Sequence, residues 1–470
     1  MAMRYNDMAE ALRARAWIGA VALCLSLAAF ALLIGFGRGQ PAIAAPASSD
    51  NLHLGVASCS GSTCHGRQEA DGRIVRQDEL MRWQEPSTPG GAHSRAYAVL
   101  ASPRSQAIAA RMGIGSASSS SECLGCHADP APAGRGPRFQ LSDGVGCEAC
   151  HGGAQNWLQS HYAVGATHRS NVQMGMRALE NPAERASVCL DCHFGSSRKG
   201  QFVNHRIMAA GHPRIVFELD LFSTLQQHHD EDRDYLERKG GRTNNVRFWA
   251  VGQAMALDRS LDLYGKPTGG AGAFPEFYFF DCHSCHRRIF DDEDARPQKL
   301  ANPGRPIPAG MPPYNDENMI MLSAAARIAA PALAGRLDTD SRAFHAALAK
   351  DRASSIAAAA KLRGTAQALA SAFSAASFNR DQVFAIIDTV SSEAISQRFT
   401  DYEGSVQAVM AVDTLLNALV NSGQIPAGAA TSIRGDVNVA YGAVRDPNDY
   451  RPVEFRRALG SAVRTIRTLR

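Results

Sequence analysis

Four short segments of the chain hold two cysteines, two spacers and a histidine: Cys123-Leu-Gly-Cys126-His127, Cys147-Glu-Ala-Cys150-His151, Cys189-Leu-Asp-Cys192-His193 and Cys282-His-Ser-Cys285-His286. A fifth, Cys59-Ser-Gly-Ser-Thr-Cys64-His65, has the same parts with four spacers. These segments use every cysteine except Cys24. Two thiols followed directly by an imidazole form the attachment pattern of c-type haem. Each thiol makes a thioether to one vinyl group, and the histidine is thereby placed under the iron as proximal ligand. Two other chemistries use the same residue types. The pairs at 123/126 and 147/150 are spaced as in a four-cysteine zinc ribbon, and an exported chain can pair ten cysteines in disulfides. Neither requires a histidine after each second cysteine, and all five pairs have one. The expected cofactor is haem c, about five copies, bound covalently by these ten cysteines with His65, His127, His151, His193 and His286 as proximal ligands.

A six-coordinate iron needs a second axial ligand, histidine or methionine. The histidines outside the motifs are His53, His93, His161, His168, His205, His212, His228 and His229, with His283 inside the last one. Nine candidates for at most five positions leave several as ordinary surface or core residues. His283 lies between the cysteines of its own motif and is badly placed to reach its own iron. His345, far from the motifs in sequence, reads as a solvent or core histidine. Met174, Met176 and Met208 are alternatives that would raise a potential.

At these residues the chain resembles the cytochrome c-554 family of multihaem cytochromes. The likeness is carried by Gly55-Val-Ala-Ser-Cys59 with Cys64-His65-Gly66, by His93-Ser-Arg-Ala-Tyr97, and by Gly144-Val-Gly-Cys-Glu-Ala-Cys-His-Gly152 with His161 beyond it. It covers roughly residues 53–220 and four of the five motifs, and departs from the family in the site at 282–286 and in everything after it. The resemblance implies a compact array of stacked haems whose distal ligands come from distant loops. It implies His161 on the haem of His65 and His93 on that of His151. It also implies that the haem of His127 lacks a distal protein ligand, an open position for a small molecule. Among the histidines after the fourth motif, His212 is the choice for the haem of His193. His205, His228 or His229 then remain for that of His286.

The elements that must position these residues divide the chain. Residues 53–300 hold all ten motif cysteines and every histidine but His345. Gly and Pro punctuate this stretch, with loops at 116–121 and 130–138. Residues 301–315 are a Pro-rich linker, and cysteine-free, Ala-rich segments follow. Val383, Ile386, Ile387 and Val390 recur at helical spacing behind Asn379 and Asp381, a helix start. Tyr402, Val406, Val409, Leu416 and Leu419 mark a second face, stopped near Gly423 and Pro426. Pro452 opens a last helix ending around Leu469. The expected fold is mainly α: a loop-rich multihaem cytochrome c domain with few short strands over 53–300, then an α-helical domain over 316–470.

Residues 1–44 read as a signal or membrane anchor, joined through a small-residue linker at 45–52. Arg4, Arg13 and Arg15 precede an uncharged apolar run from Trp17 to Phe36, long enough to span a bilayer. Ala42-Ile43-Ala44 is a small-x-small site of the kind a signal peptidase cuts. Retained anchor and cleaved signal both place the remainder in the periplasm, in the first case tethered to the inner membrane. Cys24 lies inside the run and is read as inert. The formal charge of +4 has no clustered basic stretch behind it, which excludes nucleic acid as a partner. No glycine-rich nucleotide loop or hydrolase triad stands out. The expected function is electron carriage between a donor and an acceptor redox protein. The alternatives are redox catalysis on a small nitrogen or sulfur compound at one open haem, with Arg95, Tyr97 and Arg214 as nearby polar residues, and a haem-bearing membrane subunit that recruits a partner enzyme.

Overall fold

In the computed structural model, residues 51–71, 76–230, 236, 243–266, 276–286, 305–307, 311–395 and 402–470 are described. The apolar run 17–36 and residues 301–304 and 308–310 of the Pro-rich linker lie outside them. None of the helices among the described residues is long and apolar enough to cross a membrane.

The first eight helices are short and separated by loops: α1 Glu79–Gln84, α2 Pro103–Met112, α3 Ser121–His127, α4 Cys147–His151, α5 His168–Gln173, α6 Pro182–His193, α7 His205–Ala209 and α8 Leu219–Leu225. Local capping starts several of them. The Ser102 hydroxyl accepts the Ser105 N–H ahead of Pro103 in α2, and the Asn181 side chain accepts the Ala183 N–H ahead of Pro182 in α6. Asn204 does the same for Ile207 in α7.

The expected short strands do not form. Among the described residues there are only isolated bridges, His53 with Arg135 and Phe280 with Tyr314. A buried carboxylate takes the place of a ladder at the first of these segments. Glu148 accepts the N–H groups of Leu54, Gly55 and Ala154 at 2.8, 2.7 and 2.7 Å, so the backbone before the first motif is satisfied by a side chain within the third.

The later helices are long: α9 Asn245–Gly265, α10 Glu317–Ala329, α11 Pro331–Leu348, α12 Arg352–Ala375, α13 Arg380–Ile395, α14 Tyr402–Asn421, α15 Ala427–Ala443 and α16 Pro452–Arg467. The two helix faces expected from spacing fall on α13 and α14, and the last helix expected from Pro452 is α16. A single apolar core runs through these helices, from Ala183 in α6 to Ile466 in α16. Packing does not break at 301–315. Helix α9, ahead of that linker, is central to the bundle, with Phe248, Trp249, Val251, Leu257, Leu261 and Tyr264 buried all round it. The helix is enclosed by others: α9 lies against α6, α8, α10, α12 and α14, and its Asp258 and Asp262 pair with Arg363 of α12.

Helix α6 joins the two regions. Ala183, Ala186 and Leu190, at helical spacing, are buried in the bundle core. Cys192 and His193 instead line the large cavity on the other side. Buried polar groups tie the regions as well. Gln407 of α14 donates to the Phe217 carbonyl and accepts from Gln253 of α9, while Thr414 donates to Glu218.

Candidate haem-binding site

A helical turn brings residues i, i+3 and i+4 to one face. The second, third and fourth motifs use this directly. Cys123, Cys126 and His127 close α3, Cys147, Cys150 and His151 make up α4, and Cys189, Cys192 and His193 close α6. The fifth motif opens on a tight turn over Cys282–Ser284, capped by Asp281, whose carboxylate accepts the Ser284 N–H at 2.7 Å. The first motif reaches the same arrangement across its wider spacing by folding back on itself. The His65 N–H donates to the Cys59 carbonyl and the Gly66 N–H to the Gly61 carbonyl. A Cβ on Gly66 would stand 2.0 Å from the Ser60 carbonyl oxygen, so this fold-back admits only glycine.

The sulfurs of different motifs are neighbours. Cys59 and Cys147 lie close enough to shift each other's acidity, as do Cys126 and Cys192. Close approach of backbone makes the second pairing possible: a Cβ on Gly125 would stand 2.3 Å from the Gly200 carbonyl oxygen. Cys150 is near enough to Cys189 to act on it electrostatically. No motif cysteine is in a disulfide. Burial pushes the thiols of Cys150, Cys189 and Cys282 up to about 11, 12 and 12. The 123/126 and 147/150 pairs do not converge as a zinc ribbon needs. Among the described residues the group of three or more potential ligands that does converge is His151, His228 and His229, with donor atoms within 4.8 Å of one another.

Around these motifs lies a cavity of about 2620 Å³ lined by His65, His127, His151 and His193 together with their cysteines. Each motif histidine faces a second imidazole. Ring centres are 6.2 Å apart for His65 and His161, 6.3 Å for His127 and His212, and 6.0 Å for His193 and His93. His151 faces both His228 at 6.2 Å and His229 at 6.0 Å. His286, outside the large cavity, faces His205 at 6.1 Å. Metal–imidazole bonds are about 2 Å long and a ring centre lies about 1.1 Å behind its nitrogen, so two imidazoles sharing one ion stand about 6 Å apart. The residues present therefore fit haem c with histidine on both faces.

The neutral form is the one that binds iron. Burial keeps His151 well below its ordinary value, and burial with the facing His93 holds His193 down to about 4. His228 is held at about 4 by burial and by His229. His93 and His212 are lowered chiefly by burial as well.

Long-range ties explain which rings meet. The pairing of His161 with His65 follows the order expected. His93, expected beside His151, lies instead beside His193. His212, expected beside His193, lies beside His127, the position expected to be open. Three arginines cause this: Arg104 donates to the Gly211 carbonyl, Arg111 to that of Ala210 and Arg206 to that of Met112, clamping the turn after α7 onto α2, next to the second motif. His205 meets His286 because its N–H donates to Glu276 at 2.9 Å, on the segment that leads to the fifth motif. His228 and His229 reach His151 through Arg82 of α1, which grips both Asp230 oxygens at 2.7 and 3.0 Å.

The other candidates are engaged elsewhere. His53 is buried against Asp129 at 2.8 Å, and His168 pairs with Glu180 on the surface. His283 faces the Pro447 carbonyl and Tyr450. His345 is buried in the bundle with Nδ1 at the Ser341 carbonyl. Met174 is exposed, Met208 packs against the bundle core, and Met176 lines the cavity without replacing any of the paired rings. Arg95 holds the Glu85 and Thr88 carbonyls, Tyr97 packs beside Leu100, and Arg214 is buried between Glu403 and Cys282. Sequence reasoning missed Glu79, whose carboxylate lies between His65 and His229. Nothing in its spacing from either histidine marks it.

Residues 58–152, spanning the first three motifs, match the family model described as cytochrome c554 and c-prime. No curated protein and no solved structure matches the chain. The likeness to the cytochrome c554 and c-prime family thus covers about a fifth of the chain and takes in three of the five motifs.

Proposed function

We propose that the chain is an exported pentahaem cytochrome that relays electrons between two redox proteins in the periplasm, without an open catalytic iron. The observation that carries this is the pairing of all five motif histidines with a second imidazole at 6.0–6.3 Å. When bound, haem c supplies a one-electron couple at each site, tuned by axial ligands and burial. The protein's part is to hold the sites rigid and adjacent. Neighbouring motif cysteines relate the first site to the third, the third to the fourth and the fourth to the second. Helix α7 and the turn after it, bearing His205 and His212, join the second to the fifth. Neighbour-to-neighbour transfer would follow that order, with the first and fifth sites as ends.

Reaction at an open haem of His127 is disfavoured by His212 opposite it. Export rests on residues 1–44, with the apolar run 17–36 either cleaved with the signal or retained as an inner-membrane anchor. The test is intact mass for five haems followed by electron paramagnetic resonance of the oxidised holoprotein. Every haem is expected low-spin. A high-spin signal from one haem of a fully loaded protein would overturn the carrier reading and call for titration with nitric oxide, nitrite and hydroxylamine.

A further inference from the structure

Four of the histidines that face one another across the cavity spend Nδ1 on a main-chain carbonyl. Nδ1 of His127 stands 2.8 Å from the Ala96 oxygen and that of His161 2.5 Å from the Leu158 oxygen. His212 uses the Pro213 oxygen at 2.7 Å and His228 the Gln226 oxygen at 2.8 Å. Two rings differ. His65 Nδ1 lies 3.0 Å from Glu79 Oε2, and His229 Nδ1 lies 3.5 Å from Glu79 Oε1. A single carboxylate thus serves a ring at the first site with one oxygen and a ring at the third with the other.

Glu79 is built into this place. It is 7% exposed, at the start of α1, and the next residue's N–H donates to the His65 carbonyl at 3.0 Å. One turn along, Arg82 grips Asp230, directly after His228 and His229. Helix α1 is therefore fastened to both rings that its carboxylate touches. A carboxylate accepting from the far nitrogen of a ligating imidazole fixes the ring and raises its basicity. More basic axial ligands and a nearby negative charge both favour the oxidised iron, which lowers a reduction potential.

We propose that Glu79 is a positioning residue shared by two neighbouring haems: it orients His65 at the first site and selects His229 over His228 at the third, making this pair the low-potential end of the array. The inference rests on the five-haem, paired-histidine reading above and adds to it which of two adjacent imidazoles is the ligand. Because one group serves two sites, their potentials are coupled through the protein as well as through proximity.

The test is a redox titration of holoprotein followed by optical and paramagnetic resonance spectra, for the unaltered chain and for Glu79→Gln. Five low-spin haems in the unaltered chain establish the starting point; their absence would fault the carrier reading rather than this one. In Glu79→Gln, two haems are expected to titrate higher, each by up to about tenfold in the reduced-to-oxidised ratio at fixed potential, which is about 59 mV for one electron. The g values of the same two haems should shift, a change of ligand character that loss of a distant charge would not produce. Five unchanged potentials would overturn the proposal, and a change confined to one haem would overturn the shared role. If Glu79→Gln fails to take up haem, Glu79→Asp keeps the charge while shortening its reach. The same two haems should then move in the same direction by less, and unchanged potentials and g values in that variant would again overturn it.

Discussion

The two regions of this molecule solve the problem of an interior in opposite ways. From α9 onward the chain fills its own core: Trp249, Leu257, Leu362, Leu369, Phe373, Leu416 and Phe455 are almost wholly buried and pack on one another. Residues 51–230, with Val246, Phe378, Val383 and Leu419 of the long helices and their loops, surround a cavity of about 2620 Å³, and the separate apolar cluster there amounts to Leu100, Ala109 and Ala117 with four partly buried neighbours. Eight short helices cannot bury enough apolar surface among themselves to offset the entropy of ordering their loops. On the function proposed above, haem completes the interior of the first region and of the fifth motif, whereas the core of the long helices is packed by side chains alone. The attachment of α6 to α9 gives the first region a rigid wall to build on.

The largest effect expected from this contrast follows from withholding haem. Chain produced without covalent haem attachment should lose order across 51–230, apart from α6 and α8 where they lie on the bundle, while α9–α16 remain folded. Limited proteolysis with mass mapping of the fragments checks this. A protease-resistant first region in the haem-free chain would mean that its loops carry the fold unaided, and the contrast would fail.

A second, smaller effect separates the regions by what a deletion costs. Leu362→Ala removes a side chain with no exposed surface from the α12 core and should lower stability by about 2–5 kcal/mol. Denaturant unfolding of the holoprotein followed by far-ultraviolet dichroism measures it. The haem spectrum before unfolding should be unchanged, because α12 contributes no ring to any of the histidine pairs. A spectrum altered in the folded variant would show the two interiors to be mechanically coupled through α9.

How far each region was legible in the sequence follows from the same division. The attachment motifs are local, and all five fold into turns that bring cysteines and histidine together. The faces on α13 and α14 are periodic and were readable for that reason, and Pro452 marked the start of α16. Helix α9 lies between the fourth and fifth motifs in sequence, so it was not assigned to the bundle. The partners of the motif histidines were only partly readable. They are set by Arg104, Arg111 and Arg206 on main-chain carbonyls, by Glu276 on the His205 N–H and by Arg82 on Asp230. Such ties join residues far apart in sequence and have no spacing that could be recognised. Glu79, which touches two rings at once, is the extreme case.

The smallest expected effect is a pH dependence belonging to the bundle alone. His345 is 3% exposed, and burial together with the nearby Arg305 guanidinium holds it down to about 4, against an ordinary value of 6.5. The folded chain thus resists a proton that the unfolded chain accepts. Stability from this group is fully present above about pH 6.5 and is lost as pH falls toward about 4, because over that window the unfolded state binds more protons. The slope is at most about 1.4 kcal/mol per pH unit, giving a loss on the order of 3 kcal/mol across the window. Asp316, with an oxygen 4.0 Å from His345 Nε2, would reduce that loss by favouring the protonated ring. Unfolding of α9–α16 monitored between pH 7 and 4 should therefore weaken, and His345→Gln should flatten the dependence while leaving the haem spectrum untouched. An unchanged slope in that variant would assign the acid sensitivity to other groups, and a changed haem spectrum would show that the filled core and the haem-built interior answer to the same residue.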